Sequence, residues 1–461
     1  DNTAVGRCAL FDNTTGCQNT AVGGISSDSM TTGSFNTSLG YRTLCKNTTA
    51  DNNTAIGHSA LKENVSGTDN VAVGMDALQS NTASNNTAVG KAALINNTSG
   101  TNNVAVGFKS LQANTTGGAS TALGGCALYN NTTASNNIAI GFNSSFTNTT
   151  GSENTAIGRS AFYSNTTGTG NISVGNESLN ANTTGANNTA VGLCALNDNT
   201  TANNNVAVGA SALRANTTGT QNTAVGREAG QVITTGSCNT LVGSFTGQAL
   251  TTGANNTAVG RNSLGVTTTG CGLVAVGSNA LDANTTGENS VAIGFFALTS
   301  NTTGGANVAI GESSQSATTT AIRNVSVGNS SGIANTTGSC NTFIGHKSAC
   351  SNTSGCLNVA VGFESLKSNT TGEFNSAIGA GSLQTNTTGG ENAGSGYNSL
   401  ALNTTGCKNT AFGKSSLEAN TTADHNTAVG FNSLKVNTTG ACNVVVGSLA
   451  LDANTTGACN T

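Results

Sequence analysis

The chain has 461 residues, no proline, no tryptophan and only 8% charged residues. Its net charge of -4 is spread along the sequence, so there is neither the basic stripe of a nucleic-acid-binding protein nor a polybasic membrane patch, and no apolar run approaches the roughly 18 residues of a membrane span. Because the hydrophobic residues, 36% of the total, are mostly alanine, valine and leucine, the composition predicts a thin core.

One repeat accounts for the chain. A glycine recurs from Gly6 to Gly447 in steps of 17 residues, except for a step of 16 between Gly74 and Gly90. The 27 repeats share the consensus N-N-T-A-V-G-x-x-A-L-x-x-N-T-T-G-x. We call this glycine the anchor, position 0, and number the repeat from −4 to +12. Each repeat is too short for a helical hairpin, so we predict a single all-β domain over 1–461, a parallel β-solenoid with one coil per repeat.

The first element of each repeat is the alternating segment T-A-V, which predicts a short strand. Coils stacked about 4.8 Å apart would form a rod of about 130 Å. Position −1 is Val, Ile, Leu or Phe in every repeat except at Ser395, and position +4 is usually leucine, from Leu10 to Leu451. We predict that these two columns of side chains form the core.

Small residues occupy two further columns. Position −2 is nearly always alanine, and position +3 is always Ala, Ser or Thr, as at Ala9, Ser26 and Thr43. Small side chains imply a close neighbour. That neighbour is either the opposite wall of the same coil or a second chain, and the sequence does not decide between them.

Charged residues avoid the consensus positions. All 36 lie at positions +1, +2, +5, +6, +11 or +12, as Arg7, Asp12 and Asp76 do. The excluded positions are therefore expected to be buried, tightly packed or stacked in a ladder, where a charge would lie next to its own copy. A disordered chain would not show this exclusion.

Asparagine dominates positions −4 and +7. We predict that both columns are ladders of stacked amides. Position +7 also forms Asn-x-Thr or Asn-x-Ser in most repeats, so Asn13, Asn47 and Asn114 are candidate glycosylation sites if the chain is secreted by a eukaryote. Full occupancy would exclude an inward ladder, because adjacent coils are only about 4.8 Å apart.

Positions +4 and +7 vary together. In three repeats the leucine of position +4 is replaced by a smaller residue and the asparagine of position +7 by an apolar one, which is the exchange expected of two columns that share one interior. The replaced pairs are Ser27 with Met30, Gly230 with Ile233, and Gly247 with Leu250.

The 13 cysteines show neither a CxxC pair nor the spacing of a zinc site. Cys442 and Cys459 occupy the same position in adjacent repeats, within the range of a disulfide, and Cys340 with Cys356, or Cys350 with Cys356, are weaker candidates. Such pairs would indicate an oxidising exterior. For Cys8, Cys126 and Cys194, which share position +2, the alternative is that cysteine only fills space. Because the number of cysteines is odd, at least one thiol is free or intermolecular.

No catalytic constellation is apparent. The three histidines, His58, His346 and His425, lie far apart on positions that tolerate charge. They cannot form a triad or a metal site in one chain. We predict no catalytic residue, no cofactor and no metal, and therefore a protein that is not an enzyme.

The strand segment resembles a known family. Asn289–Gly294 reads NSVAIG, and Asn70–Gly74 and Asn137–Gly141 are variants of it. This resembles the head repeats of trimeric autotransporter adhesins, whose rung of about 14 residues lacks three residues found here, and the longer form looks like the repeats of phage tail fibres that end in an endosialidase-type chaperone. The resemblance implies a left-handed coil, a surface-exposed binding or spacing role and no catalytic residues.

The sequence favours an extracellular structural or adhesive fibre element on a cell or virion surface. Its expected partners are copies of itself, as an end-to-end filament or a lateral trimer, together with cell-surface glycans or proteins, and neither nucleic acid nor a membrane. One alternative is an ice-binding solenoid that uses threonine ladders such as Thr14 and Thr15, although an outward Thr-x-Thr pair is absent. Others are a phage tail-fibre shaft and a glycan-cleaving fibre, the latter disfavoured because paired carboxylates are lacking.

The two ends of the sequence lack a polar cap, since Asp1 precedes the first strand directly and Asn460–Thr461 begin a further repeat. Uncapped solenoids polymerise or are fragments. We therefore expect either end-to-end stacking or a piece of a longer array.

Overall fold

The computed structural model describes residues 1–461 as an all-β chain with 27 strands of three residues each and no helix. The chain divides into two compact units, residues 1–228 and 229–461. In the first unit the strands are β1 (Thr3–Val5), β2 (Thr20–Val22), β3 (Thr37–Leu39), β4 (Thr54–Ile56), β5 (Val71–Val73), β6 (Thr87–Val89), β7 (Val104–Val106), β8 (Thr121–Leu123), β9 (Ile138–Ile140), β10 (Thr155–Ile157), β11 (Ile172–Val174), β12 (Thr189–Val191), β13 (Val206–Val208) and β14 (Thr223–Val225).

The second unit contains the other 13 strands. They are β15 (Thr240–Val242), β16 (Thr257–Val259), β17 (Val274–Val276), β18 (Val291–Ile293), β19 (Val308–Ile310), β20 (Val325–Val327), β21 (Thr342–Ile344), β22 (Val359–Val361), β23 (Ser376–Ile378), β24 (Ala393–Ser395), β25 (Thr410–Phe412), β26 (Thr427–Val429) and β27 (Val444–Val446).

Consecutive strands within each unit are parallel and in register. In the first unit Ala156 of β10 lies opposite Ser173 of β11, and in the second Ala292 of β18 lies opposite Ala309 of β19. Equivalent positions of successive repeats therefore stack, also across the 16-residue step, where Val71 pairs with Thr87. The prediction of an all-β parallel solenoid with one 17-residue coil per repeat is confirmed. Its description as one domain over 1–461 and its handedness stay predictions.

Backbone hydrogen bonds between coils continue outside the strands. The Leu61 amide donates to the Ala77 carbonyl of the following coil at 3.0 Å, and the Ser59 amide donates to the Tyr41 carbonyl of the preceding coil at 3.0 Å. Only turn bonds, such as Asn64 N–H to the Leu61 carbonyl at 3.3 Å, stay within one coil. Most of the backbone of a coil is therefore satisfied only by its neighbours.

The interior is formed by positions −2, +3 and +4. Their side chains, as in Ala55, Ala60 and Leu61, are fully buried and form one cluster. Ser173 at −2 and Ser178 at +3 of the same coil join Oγ to Oγ at 2.6 Å. The close neighbour of the small residues is thus the opposite wall of the same coil, and the alternative of a second chain at these positions is wrong.

The prediction that position −1 belongs to the core is wrong. These side chains lie on the outer surface of the strands, and Ile157, for example, is 37% exposed. Side chains alternate between the two faces of a strand, so alanine at −2 inside places both −3 and −1 outside. The leucine column at +4 is buried as predicted from its first members to Leu434.

The predicted exchange between +4 and +7 is confirmed by burial, because Met30, Ile233 and Leu250 are all fully buried. A second exchange links +4 with −2. A Cβ added at Gly247 would lie 3.1 Å from the Leu241 side chain, and one added at Gly332 would lie 2.8 Å from the Phe343 ring. A larger residue at −2 therefore fills the volume that a smaller residue at +4 leaves.

Each coil turns through left-handed backbone at positions +2, +4 and +12. The buried leucines are among these residues, as Leu61 with φ 48° and Leu213 with φ 49° show. This conformation is costly for a bulky residue. It persists because the ladders above and below fix the backbone of every coil.

The anchor glycines lie at the closest approach between coils. They have φ between +124° and +143°, and a Cβ added at Gly124 would lie 2.5 Å from the carbonyl oxygen of Gly141. No side chain fits between the stacked backbones. This contact explains why the glycine recurs in every repeat.

We expect Gly124→Ala to disrupt the coils around it, at a cost well above the roughly 1 kcal/mol of a typical point substitution. The neighbouring Gly125→Ala is the matched control, because a Cβ there would meet only the movable ring of Phe142, at 3.3 Å. Hydrogen exchange of peptides covering these coils would measure the difference. Equal protection in both variants would contradict the stacking of the anchor glycines.

The inward and outward positions can be compared with two substitutions that each remove three carbons. Leu179→Ala, at a fully buried side chain, is expected to cost about 2–5 kcal/mol. Ile157→Ala, at an outward side chain, is expected to cost less than about 1.5 kcal/mol. Local unfolding free energies from hydrogen exchange would test this, and a larger cost at Ile157 would restore position −1 to the core.

Candidate binding surface

The outward side chains of the strands form a continuous surface in each unit, which we call the strand face. It consists of positions −3 and −1, which are mainly Thr or Val and Val or Ile. Examples are Ile138 and Ile172 in the first unit and Ile293, Ile310 and Ile344 in the second, all of which are exposed. None of the strands contains a charged residue.

The strand face has the geometry of a lattice. Neighbouring coils lie about 4.8 Å apart, and the two outward side chains of one strand lie about 6.6 Å apart, since a strand rises about 3.3 Å per residue. Register keeps like side chains in line, as in Val291–Val308 and Ile293–Ile310. A regular array of methyl and hydroxyl groups results, which is interrupted at position −1 by Ser395 and Phe412.

The two asparagine columns lie inside and are ladders, as predicted. At position +7, Asn114 Nδ2 donates to Asn97 Oδ1 of the preceding coil at 2.8 Å and to the Gly117 carbonyl at 2.9 Å. At position −4, Asn53 Oδ1 accepts the Asn70 backbone N–H at 3.1 Å. The +7 ladder thus joins side chains to each other. The −4 ladder joins side chains to backbone, and in pairs such as Asn53 and Asn70 also side chain to side chain, with Nδ2 3.1 Å from Oδ1.

The +7 ladder leaves an unpaired acceptor wherever the next coil lacks asparagine. Asn13 and Asn301 each keep a buried Oδ1 without a partner, because the next coil carries Met30 or Thr318 instead. An unpaired buried acceptor costs about 1–3 kcal/mol. These interruptions therefore weaken the solenoid locally.

Threonines at positions +8 and +9 have different roles. The hydroxyl at +8 donates to the next coil, as Thr285 Oγ1 does to the Thr302 carbonyl at 2.9 Å. The threonine at +9, for example Thr286, is exposed. Of the predicted Thr14 and Thr15 ladders, the first therefore serves cohesion between coils, and the second faces solvent.

A short polar side chain at position +11 caps a backbone N–H of the preceding coil. The Gly118 N–H donates to Ser135 Oγ at 3.0 Å, and the Ile322 N–H donates to Ser339 Oγ at 3.1 Å. Cysteine does the same, since the Ala254 N–H donates to Cys271 Sγ at 3.4 Å. The sequence analysis did not predict this role for cysteine at position +11.

All 13 cysteines are free thiols in the structure. Cys442 and Cys459 are exposed at position +12 of adjacent coils, so their pairing stays a prediction. Cys356 Sγ accepts the Ser339 N–H at 3.3 Å, next to Cys340. Cys350 lies in another column, where its Sγ contacts the Lys367 carbonyl at 3.6 Å, which makes it a poor partner for Cys356.

The candidate glycosylation sites differ in exposure. Asn47 and Asn114 are fully buried, and Asn13 is partly buried. Asn47 Nδ2 donates to the Ala50 carbonyl at 3.0 Å, a bond that a glycan would disrupt. Glycosylation stays a prediction, and the burial of Asn47 and Asn114 disfavours it in the folded chain.

The histidines are not brought together. His58 lies beside Tyr41 and 3.9 Å from Asp76, measured from Nδ1 to Oδ1. His346 stacks on Phe363, and His425 is exposed at position +12. No group of three or more His, Cys, Asp or Glu residues is arranged to hold a metal ion.

Charged side chains stay on the surface, and none is buried. Arg159 Nη2 lies 2.7 Å from Glu177 Oε1 of the next coil. Hydrogen bonds from Lys46 and Lys62 lower the pKa of Glu63. Burial raises the pKa of Asp282, whose carboxylate lies over Gly265 of the preceding coil.

No protein-family model matches the chain, and no curated protein matches it in sequence. A membrane-spanning helix is not among its elements. The case for a function therefore rests on the repeat and its surfaces.

The inward ladder can be tested at Asn165, whose Nδ2 donates to Asn148 Oδ1 at 2.7 Å and to the Gly168 carbonyl at 3.1 Å. Asn165→Asp would place a charge beside two acceptors, so we expect a loss of more than about 3 kcal/mol at neutral pH. The control is Asn102→Asp, at an exposed +12 position. Hydrogen exchange of the flanking coils would measure both, and a tolerated Asn165→Asp would contradict the ladder.

Proposed function

We propose that the chain is an extracellular structural or adhesive fibre element, which presents one repetitive surface on a cell or virion. The observation that carries this proposal is the strand face, where the same outward pair recurs on successive coils in both units. Repetition of this kind supplies length, stiffness and many equivalent contacts. The resemblance to adhesin head repeats and tail-fibre repeats agrees with such a role, and the fibre shaft of a phage is one form of it.

The strand face also supports lateral association of copies. It is uncharged and combines the Val and Ile side chains with threonine hydroxyls at many −3 positions, and contiguous exposed apolar patches mark interaction sites. A second copy has the same coil spacing, so its ridges of Val and Ile could pack between those of the first along the whole contact. We therefore place the self-association of the chain on this face and not on the alanines, which lie inside.

Self-association can be tested in the second unit with Ile293→Thr, Ile310→Thr and Ile344→Thr combined, at side chains that are 38%, 36% and 39% exposed. Threonine keeps the β-branch and removes apolar surface. We expect the wild-type chain to sediment as a multiple of 45.2 kDa and the triple variant to shift towards the monomer by at least tenfold in dissociation constant.

The matched control for that experiment combines Val266→Thr and Val436→Thr. Both residues are exposed at position +6, outside the strand face. These substitutions should leave the sedimentation unchanged. A wild-type chain that stays monomeric, or a control that dissociates equally, would contradict assembly through the strand face.

Ice binding is the second candidate, and one observation favours it. Threonine at −3 and valine or isoleucine at −1 face outward together, as Thr155 and Ile157 or Thr257 and Val259 do. This lattice of hydroxyl and methyl groups replaces the Thr-x-Thr pair that the sequence lacks. Thermal hysteresis of the monomeric chain would favour ice binding, whereas assembly without hysteresis would favour the fibre.

A further inference from the structure

We propose that the second unit contains a binding site for a carboxylated sugar, in a notch at positions +9 to +12 of three successive coils. The notch is an open surface depression of about 390 Å³. It is lined by Thr286, Gly287, Glu288, Asn289, Thr303, Gly305, Ala306, Ile322 and Arg323. The inference gives the proposed adhesive role a ligand class and rests on that role for its biological meaning.

The notch exists because two small residues interrupt the surface columns. Gly305 occupies position +11 and Ala306 position +12, between larger residues of the coils before and after. A Cβ added at Gly305 would lie 3.1 Å from the Glu288 carbonyl oxygen and 3.6 Å from the Glu288 nitrogen. The missing side chain therefore leaves a space beside the Glu288 backbone.

This space faces a hydrogen-bond donor. In several other coils the equivalent N–H is capped by the +11 side chain of the next coil, as the Ala254 N–H is by Cys271. Glycine at 305 supplies no such acceptor, and the Glu288 N–H has none in the structure. A ligand oxygen placed where a serine hydroxyl would lie can accept this hydrogen bond.

The charges select the ligand. The exposed Arg323 forms one wall and makes no salt bridge, so its guanidinium is available to a carboxylate, which it matches in geometry. Glu288 lies two coils away, roughly 10 Å along the stack, beyond a Debye length of about 8 Å at physiological salt. A carboxylate next to Arg323 is therefore only weakly repelled by it.

The remaining walls fit a sugar better than a simple acid. The carboxylate of Glu288, the amide of Asn289 and the hydroxyl of Thr303 can exchange hydrogen bonds with ligand hydroxyls. The exposed side chain of Ile322 offers an apolar contact for the carbon face of a ring. Together these groups are complementary to a polyhydroxylated carboxylate such as a uronic acid.

The test is a titration of the full chain with glucuronate, followed by calorimetry or by ligand-detected nuclear magnetic resonance. We expect saturable binding, lost by at least tenfold in Arg323→Gln, because charge-assisted hydrogen bonds contribute that much. We also expect loss in Gly305→Ser, since serine is a common +11 residue and its hydroxyl would cap the Glu288 N–H and fill the notch. Gly305→Ser should keep the fold of the coil.

The matched controls are Gly118→Ser and Arg261→Gln. Gly118 leaves a similar space beside Thr101, with an added Cβ 2.9 Å from the Thr101 oxygen, but its neighbours at +11 and +12 carry no charge. Arg261 is exposed at position +1, outside the notch. Both variants should bind glucuronate like the wild type, and equal loss in them would overturn the assignment.

Two further ligands separate the parts of the proposal. Glucose lacks the carboxylate of glucuronate, and acetate lacks its sugar ring, so comparing the two with glucuronate shows which group the site requires. Binding of glucuronate above both supports the site, whereas equal binding of glucose or of acetate overturns the ligand class, and no saturable binding of millimolar glucuronate overturns the site. Because the titration needs no assembly, its failure is distinct from a failure of the fibre proposal, which sedimentation tests separately.

Discussion

The structure depends on the close, in-register stacking of one coil on the next. Backbone amides at most positions donate to an adjacent coil, and both asparagine ladders also connect each coil to the next. A coil on its own would have few of these bonds, so the coils stabilise one another. The same stacking holds leucines in left-handed backbone, where an isolated turn would not keep them. Glycine is required at the anchor because the backbones approach there to within the volume of a Cβ.

Much of the fold could be predicted from the sequence, because the residue types found at each position of the repeat reflect the stacking of the coils. The period gave the coil, and Asn13 and Asn47 belonged to a column whose only repeated feature was an amide. The exclusion of charge covered the inner positions but also positions −3, −1 and +9, which face outward, so it did not separate the two sides of the coil. The exchange of Ser27 with Met30 located two columns in one interior. These inferences depend on which residues are tolerated at a stacked position, and a single chain with many repeats supplies that comparison internally.

The orientation of the strand was the main error. Valine at −1 is the larger apolar residue, so size suggested that it faces inward. The coil is too narrow for that choice, since Ser173 and Ser178 on opposite walls already form a hydrogen bond. Alanine at −2 is inside because only a small side chain fits there. Valine at −1 is outside because neighbouring side chains of a strand point to opposite faces. The pair Leu241 and Gly247, which exchange volume across the core, was the signal in the sequence that placed −2 opposite +4.

This geometry links stability to interaction. A core built of alanine and leucine buries little apolar area per coil, so hydrogen bonds between coils carry much of the cohesion. The larger apolar side chains remain on the strand face, where they can gain dispersion energy only from a partner with matching spacing. A uniform array of this kind favours extended contacts over a single pocket. Recognition of a ligand at one place therefore requires residues that depart from the repeat consensus. Gly305 and Arg323 are such a deviation, because a missing cap and an added charge occur in adjacent coils of an otherwise repeated surface.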